Sequence, residues 1–242
     1  MTYDPTRNVL FIHVPKNAGK SIEALLGMVD KNELASYRFR SLPASAGTYL
    51  QRKFADRKAS QRLFGTVDVS LCAQHCTLQE IELLGLVPPR TLAEAFKFAV
   101  CRNPWDRAVS TYHHWRDRNR EPSRADFDAF WRGWLDRPPR DHNVRAHQRT
   151  QVAFLRDSTG RIAMDELLRF EALGDELHKL SRLGVRGDDL PRIGTAAGRD
   201  DYREYYDGES KEFIGRLFEE DVDQFGYAFE DRSLARHIGG DE

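Results

Sequence analysis

The sequence predicts an α/β protein built on a mainly parallel sheet. Two short apolar runs, Val9 to Val14 and Phe96 to Cys101, have the length and the bounds of buried strands. Each passes through a turn into a segment with helical apolar spacing. Strand-like and helix-like segments go on alternating along the 242 residues, the pattern that pairs strands in parallel through helical crossovers.

Taken in order, the Val9–Val14 strand stops at Pro15, Lys16 to Gly19 form a turn, and Ser21 to Met28 read as a helix. Residues 30–60 make a long polar connection with one basic helix at 48–58, and Arg62 to Val69 reads as a strand. Thr77 to Leu84 is a helix, capped by Thr77 with Glu80 three residues on, and Pro88-Pro89 ends that unit. After the Phe96–Cys101 strand, Asn103 caps a helix that carries Pro104 at its favoured first position and runs to about Arg116. Asp126 to Leu135 is a further helix, stopped by Pro138-Pro139, and Arg140 to Thr150 is loop-like. Glu166 to Phe170 reads as a strand and Asp175 to Leu183 as a helix ended by Gly184. Residues 186–201 are loop, and Ser210 to Asp221 form a last amphipathic helix.

A chain of this length buries a core without disulfide or metal staples. Charged residues make up 31%, but 37 basic against 38 acidic side chains leave a net charge of −1. That balance excludes a long disordered polyelectrolyte and a globally basic nucleic-acid binder. No apolar run approaches the ~18 residues of a membrane span. The first apolar stretch is broken by His13, Pro15 and Lys16, so no signal peptide is expected. Three cysteines, Cys72, Cys76 and Cys101, without a C-x-x-C pair, fit bystander thiols in a reduced, cytoplasmic compartment. Charge is uneven: residues 37–62 hold seven Lys or Arg against Asp56 alone, and residues 102–149 hold eleven arginines.

Both convincing strands end in residues suited to an anion. Phe11 to Ser21 reads F-I-H-V-P-K-N-A-G-K-S. A strand that turns through small residues into a helix aims main-chain N–H groups at one point, with Lys16 adding a mobile charge and Ser21 a hydroxyl. Gly19-Lys20-Ser21 looks like the end of a Walker A loop, but Val14 stands where its first glycine belongs. Phe98-Ala99-Val100-Cys101 leads into Arg102 rather than a Walker B acid, and a cation there suits an anion directly. In the second segment, F-K-F-A-V-C-R-N-P-W-D-R-A-V-S-T-Y, Arg102 stands at the strand end, where open α/β sheets bind ligands. Its planar fork suits a phosphate, and Ser110 offers a hydroxyl two turns into the helix. Arg107 could also reach an anion, but is read as structural, paired with Asp106 or Asp117.

Together these segments resemble the sulfotransferases that use 3′-phosphoadenosine 5′-phosphosulfate (PAPS), in particular the carbohydrate branch with the heparan 2-O- and chondroitin 4-O-sulfotransferases and their bacterial relatives. Weaker matches are Gln74-His75, Gln151 to Leu155, Arg169-Phe170-Glu171, Tyr202 to Tyr206 and Asp223 to Tyr227, so the resemblance spans roughly residues 8–229, within a single domain covering 1–242. Lys20 departs from the pattern, where Thr is more usual.

The resemblance implies a P-loop-like central parallel sheet flanked by helices in a three-layer sandwich, and sulfuryl transfer from PAPS to an alcohol. Lys16, Asn17, Ala18, Gly19, Lys20 and Ser21 would wrap the 5′-phosphosulfate, Arg102 and Ser110 would hold the 3′-phosphate, and Arg203 lies in a segment that comes near the nucleotide in relatives. Lys16 is expected at the bridging oxygen, where charge builds in the transition state. His75 is expected as the base that takes the acceptor's proton. His13 reads as a buried, hydrogen-bonded residue, and His142 and His147 as acceptor contacts or as the base in place of His75. No metal is expected: there is no H-E-x-x-H, and Asp221-x-Asp223-x-x-Gly226 lacks oxygen ligands where a calcium loop needs them. The acceptor is expected to be a carbohydrate; a P-loop nucleotide kinase and an inactive module binding PAP or a sulfated glycan are the alternatives.

Overall fold

A computed structural model describes residues 2–4, 6–27, 75–83, 85–119, 127–135, 142–185 and 201–231. The strand expected at 62–69, the basic helix at 48–58 and the loop at 186–200 lie outside them.

Among the described residues four strands form one sheet in the order β1 (Thr2–Asp4), β2 (Val9–Ile12), β3 (Phe96–Cys101), β4 (Glu166–Arg169). β2 pairs in parallel with β3, Phe11 opposite Phe98, and β3 with β4, Cys101 opposite Arg169. The sheet is mixed rather than parallel throughout, because β1 lies antiparallel to β2. The link between these two strands is too short for a crossover. It turns through the Asp4 carboxylate, which accepts from the N–H groups of Thr6 (2.8 Å) and Arg7 (3.2 Å), and through Asn8 at φ 51°.

Helices cover both faces. Period-two alternation sends Leu10, Ile12, Ala99 and Cys101 to one side. There they meet α2 (Leu78–Leu83) and α7 (Gln151–Leu155) through Leu78, Ile81, Val152 and Phe154. Val9, Phe11, Phe98 and Val100 face the other side, against α1 (Gly19–Leu25), α8 (Leu173–Glu176) and the 3-10 helix Leu177–Leu183. A third cluster joins α4 (Pro104–Asn119), α5 (Phe127–Leu135) and α9 (Gly208–Leu217) around Trp105, Tyr112, Trp131 and Phe218. These tryptophans are core residues.

Local signals set several boundaries. Thr77 and Glu80 cap α2 reciprocally, Glu80 N to Thr77 Oγ1 at 3.0 Å and Thr77 N to Glu80 Oε2 at 2.9 Å. Asn103 Oδ1 accepts from Trp105 N (3.0 Å) and caps α4. Elsewhere the structure corrects the sequence reading. Pro89 opens a helix, α3 (Pro89–Glu94), rather than only ending the preceding unit. His142–Gln148, expected as loop, is helix α6. Most of the helix expected at 175–183 is 3-10. The expected final helix is two, α9 and α10 (Glu219–Phe225), broken at Phe218. Asp221 thereby turns inward to accept from the N–H groups of Gln151 (2.8 Å) and Val152 (2.9 Å), which start α7. Among the described residues no helix is long and apolar enough to cross a membrane.

Candidate active site

β2 and β3 are adjacent and parallel, so the segments that follow them emerge side by side at one edge of the sheet. Beyond β2 the chain passes through buried His13 and Val14 into a turn in which Lys16 (φ 70°) and Ala18 (φ 58°) take left-handed conformations. For residues with a Cβ this costs of order 1–3 kcal/mol each and persists only where neighbours enforce it. Three side chains do so. Arg102 Nη1 donates to Lys16 O (2.7 Å) and Arg107 Nε to Pro15 O (3.3 Å). Asn17 Nδ2 donates to Val100 O (2.7 Å) and to Gln151 Oε1 (2.6 Å).

With these carbonyls held, no partner among the described residues takes the main-chain N–H of Asn17, Ala18 or Gly19. Three consecutive unpartnered N–H groups beside a lysine form an anion nest. The Asn17 side chain spends both amide protons inward, so Asn17 faces the nest with its backbone alone. Gly19 has a steric role: a Cβ there would lie 1.9 Å from His13 Nε2. Ser21 is buried in the first turn of α1, and Lys20 is exposed.

Arg102 is buried against the Phe170 ring, its Cζ 4.0 Å from the ring centroid. Nε and Nη2 each lie 2.8 Å from Asp106 Oδ2, and Nη1 is on Lys16 O. Of five guanidinium protons, two are left for a ligand. Asp106 and Ser110 are four residues apart on α4 and share its face. The Ser110 hydroxyl has no hydrogen-bond partner among the described residues. Arg107 is held inside the fold, but the acid near it is Asp221 rather than Asp106 or Asp117. Its Nη2 donates to Arg149 O (3.0 Å), and Nη1 is 4.0 Å from Asp221 Oδ2. Burial lowers Arg107 to about 10 and raises Asp221 above the usual carboxylate range.

His75 precedes α2 and reaches the same place from the other side. Its Nδ1 is 2.9 Å from His13 O. A carbonyl only accepts, so Nδ1 carries the proton and Nε2 is the basic nitrogen. Burial, then the neighbouring His13 and His147, hold its pKa well below 6.5. His13 is itself buried, with Nδ1 2.8 Å from Glu23 Oε1. The rings form a row: His13 to His75 at 4.7 Å, His75 to His147 at 5.8 Å, His147 stacked on His114 at 5.2 Å. The side chain of His142 lies outside the described residues.

Among the described residues no hydrogen bond ties Arg203 to this cluster. Its guanidinium donates to Asp201, Nε at 3.0 Å from each carboxylate oxygen, on a 3-10 helix (Tyr202–Tyr205) packed against α4. Cys76 and Cys101 are buried thiols that desolvation raises to about 12 and about 11, which leaves them inert. Among the described residues no group of three or more His, Cys, Asp or Glu could hold a metal ion.

Sequence reasoning did not find Gln151, Glu23 or Asp106 as parts of this site. Glu23 carried a signal, an acid inside an otherwise apolar helix turn ten residues after His13. Gln151 carried none beyond its place in a short motif.

A mixed α/β sheet thus sets the two loops side by side, with His75 hydrogen-bonded to the first of them. The chain belongs to the Sulfotransferase family, whose model matches residues 1–228, and sulfuryl transfer is therefore its class of chemistry. No curated protein and no solved structure matches it.

Proposed function

We propose that this protein transfers the sulfuryl group of PAPS to a hydroxyl of a carbohydrate acceptor, without a metal ion. The observation that carries the reading is the pairing of an anion nest at Asn17 to Gly19 with a buried arginine that holds two protons in reserve. One site suits a 5′-phosphosulfate and the other a 3′-phosphate, and a nucleotide carrying both is the ligand that uses them together. Lys16, Lys20 and Ser21 complete the first site and Ser110 the second. Arg203 would join through the guanidinium protons that Asp201 does not hold.

PAPS supplies an activated sulfuryl group when bound; the chain supplies position, charge and a base. The acceptor hydroxyl gives its proton to His75 Nε2 while its oxygen forms a bond to sulfur. The bond from sulfur to the bridging phosphate oxygen breaks, and its electron pair leaves on the nucleotide. Lys16 balances that charge, the role in which a fixed cation lowers the barrier most. The low pKa of His75 keeps its ring neutral and ready near pH 7.

The test is turnover of PAPS with a panel of hydroxyl acceptors, glycans included, with and without Mg²⁺, beside a Mg²⁺-dependent ATP hydrolysis control. Sulfated glycan formed in chelator supports the reading. Hydrolysis of ATP with no sulfated product overturns it in favour of a kinase. PAP binding with no turnover across the panel would identify a binding module.

A further inference from the structure

The two loops are joined by one buried side chain outside both. Gln151, the first residue of α7, is fully buried. Its Oε1 accepts from Asn17 Nδ2 in the first loop (2.6 Å) and from Arg102 N in the second (2.9 Å). Its Nε2 donates to Arg102 O (2.7 Å). The carboxamide thus clasps the backbone of Arg102 at both polar groups and holds the first loop with the same oxygen.

These contacts close a ring. Gln151 fixes Asn17; Asn17 follows Lys16, whose carbonyl accepts from Arg102; and the backbone of Arg102 returns to Gln151. A displacement of either loop is carried to the other by two routes. A neutral amide is suited to the position because it offers an acceptor and a donor together. A carboxylate there would set an oxygen against Arg102 O, and an apolar group would leave Arg102 N and Asn17 Nδ2 without this acceptor. The clasp is rigid in turn, since Asp221 accepts from the N–H groups of Gln151 and Val152.

Resting on the nucleotide reading above, we infer that Gln151 is a positioning residue that couples the two anion sites, so that a nucleotide with phosphates at both ends is bound as one unit. It touches neither phosphate and acts through Asn17 and Arg102.

The experiment is calorimetric titration of PAP and of 5′-AMP into the wild type, Gln151→Met, Arg102→Ala and the double variant. The wild type should prefer PAP. In Gln151→Met that preference should fall by roughly 10-fold or more, the size of one charge-assisted hydrogen bond. Adding Arg102→Ala to it should cost far less than in the wild type. Val152→Ala, a buried neighbour in the same helix, should lower stability and leave the preference unchanged, which separates positioning from general loosening.

A folded Gln151→Met with wild-type preference overturns the inference and leaves the nucleotide reading standing. A wild type that binds AMP and PAP alike overturns both. If Gln151→Met does not fold, amide exchange in the wild type decides: saturating 5′-AMP, which lacks the 3′-phosphate, should slow exchange at Arg102 N–H, and unchanged exchange there overturns the coupling.

Discussion

Gly19→Ala is the smallest substitution that tests how the first loop is built. The added Cβ would lie 1.9 Å from His13 Nε2, 2.2 Å from Cδ2 and 2.3 Å from Cε1. Non-bonded carbon and nitrogen atoms settle at roughly 3.5 Å, so the ring or the start of α1 must move by about 1.5 Å. The ring has little room. It is 4% exposed, hydrogen-bonded to Glu23 and flanked by Phe11 at 5.6 Å and His75 at 4.7 Å. Overpacking of this kind costs about 1–3 kcal/mol. Losing the His13–Glu23 bond adds about 1.5–3 kcal/mol if the ring swings away.

A total of roughly 3–5 kcal/mol should lower the melting temperature by about 10 °C, at ~2–4 °C per kcal/mol for a chain of this size. Turnover should fall further than stability alone explains, because His75 is anchored on the His13 carbonyl. Scanning calorimetry gives the first number. Combination with His13→Ala gives the cause: if the clash is responsible, the double variant is less destabilised than the two single losses added, by about 1–3 kcal/mol. A Gly19→Ala protein that melts with the wild type refutes the argument, and additive losses place its cost somewhere other than the ring.

Lys16→Ala should cut turnover far more than PAP affinity, because the bridging oxygen gains charge mainly in the transition state; single-turnover rates beside PAP calorimetry read the split. Arg102→Ala should weaken PAP by at least ~10-fold, and 5′-AMP measurably as well, since it also releases the Lys16 carbonyl; unchanged AMP affinity would show that this strut does not matter. His75→Ala should lower turnover by ~10²–10⁴ and abolish the acid limb of the rate profile, which in the wild type lies below pH 6.5. Because the folded pKa of His75 is depressed, the unfolded chain binds the extra proton first. The stability it contributes is whole above about pH 6.5 and is lost as pH falls through that value toward the folded pKa, and in His75→Ala this part of the acid loss should vanish from unfolding curves.

What could be read from the sequence was what adjacent residues decide. β3 was found at both ends because Phe96 to Cys101 is an unbroken apolar run, and α2 and α4 were found because Thr77, Glu80, Asn103 and Pro104 cap them locally. Helix α6 was missed because His142–Gln148 offers only Val144 and Ala146 as apolar positions. The break at Phe218 was missed because continuous helical spacing does not reveal that Asp221 must turn toward α7. The candidate site divides the same way. Its loop residues form two contiguous motifs, but the partners that set their geometry lie far off in the chain: 83 residues from Asn17 to Val100 and 134 from Asn17 to Gln151. The motif around Arg203 likewise did not name its partner, the neighbouring Asp201.

The deeper point of the architecture is that the second motif builds the first. In sequence Arg102 reads as a ligand cation and Arg107 as structural, and both donate to carbonyls of the opposite loop, Lys16 O and Pro15 O. Those bonds, about 1.5–3 kcal/mol each where the geometry is good, are of the size needed to hold Lys16 and Ala18 in left-handed conformations that cost of order 1–3 kcal/mol each. On the proposed reading, an approaching anion would meet N–H groups already turned toward it and would not have to order the loop, which is how preorganisation raises affinity. Each arginine also has an acid in the fold, Asp106 beside Arg102 and Asp221 near Arg107, so the fold itself compensates both charges. Asp106 and Lys16 O hold three protons of Arg102 and leave two, and those two form the part of the second motif that an incoming phosphate can still claim.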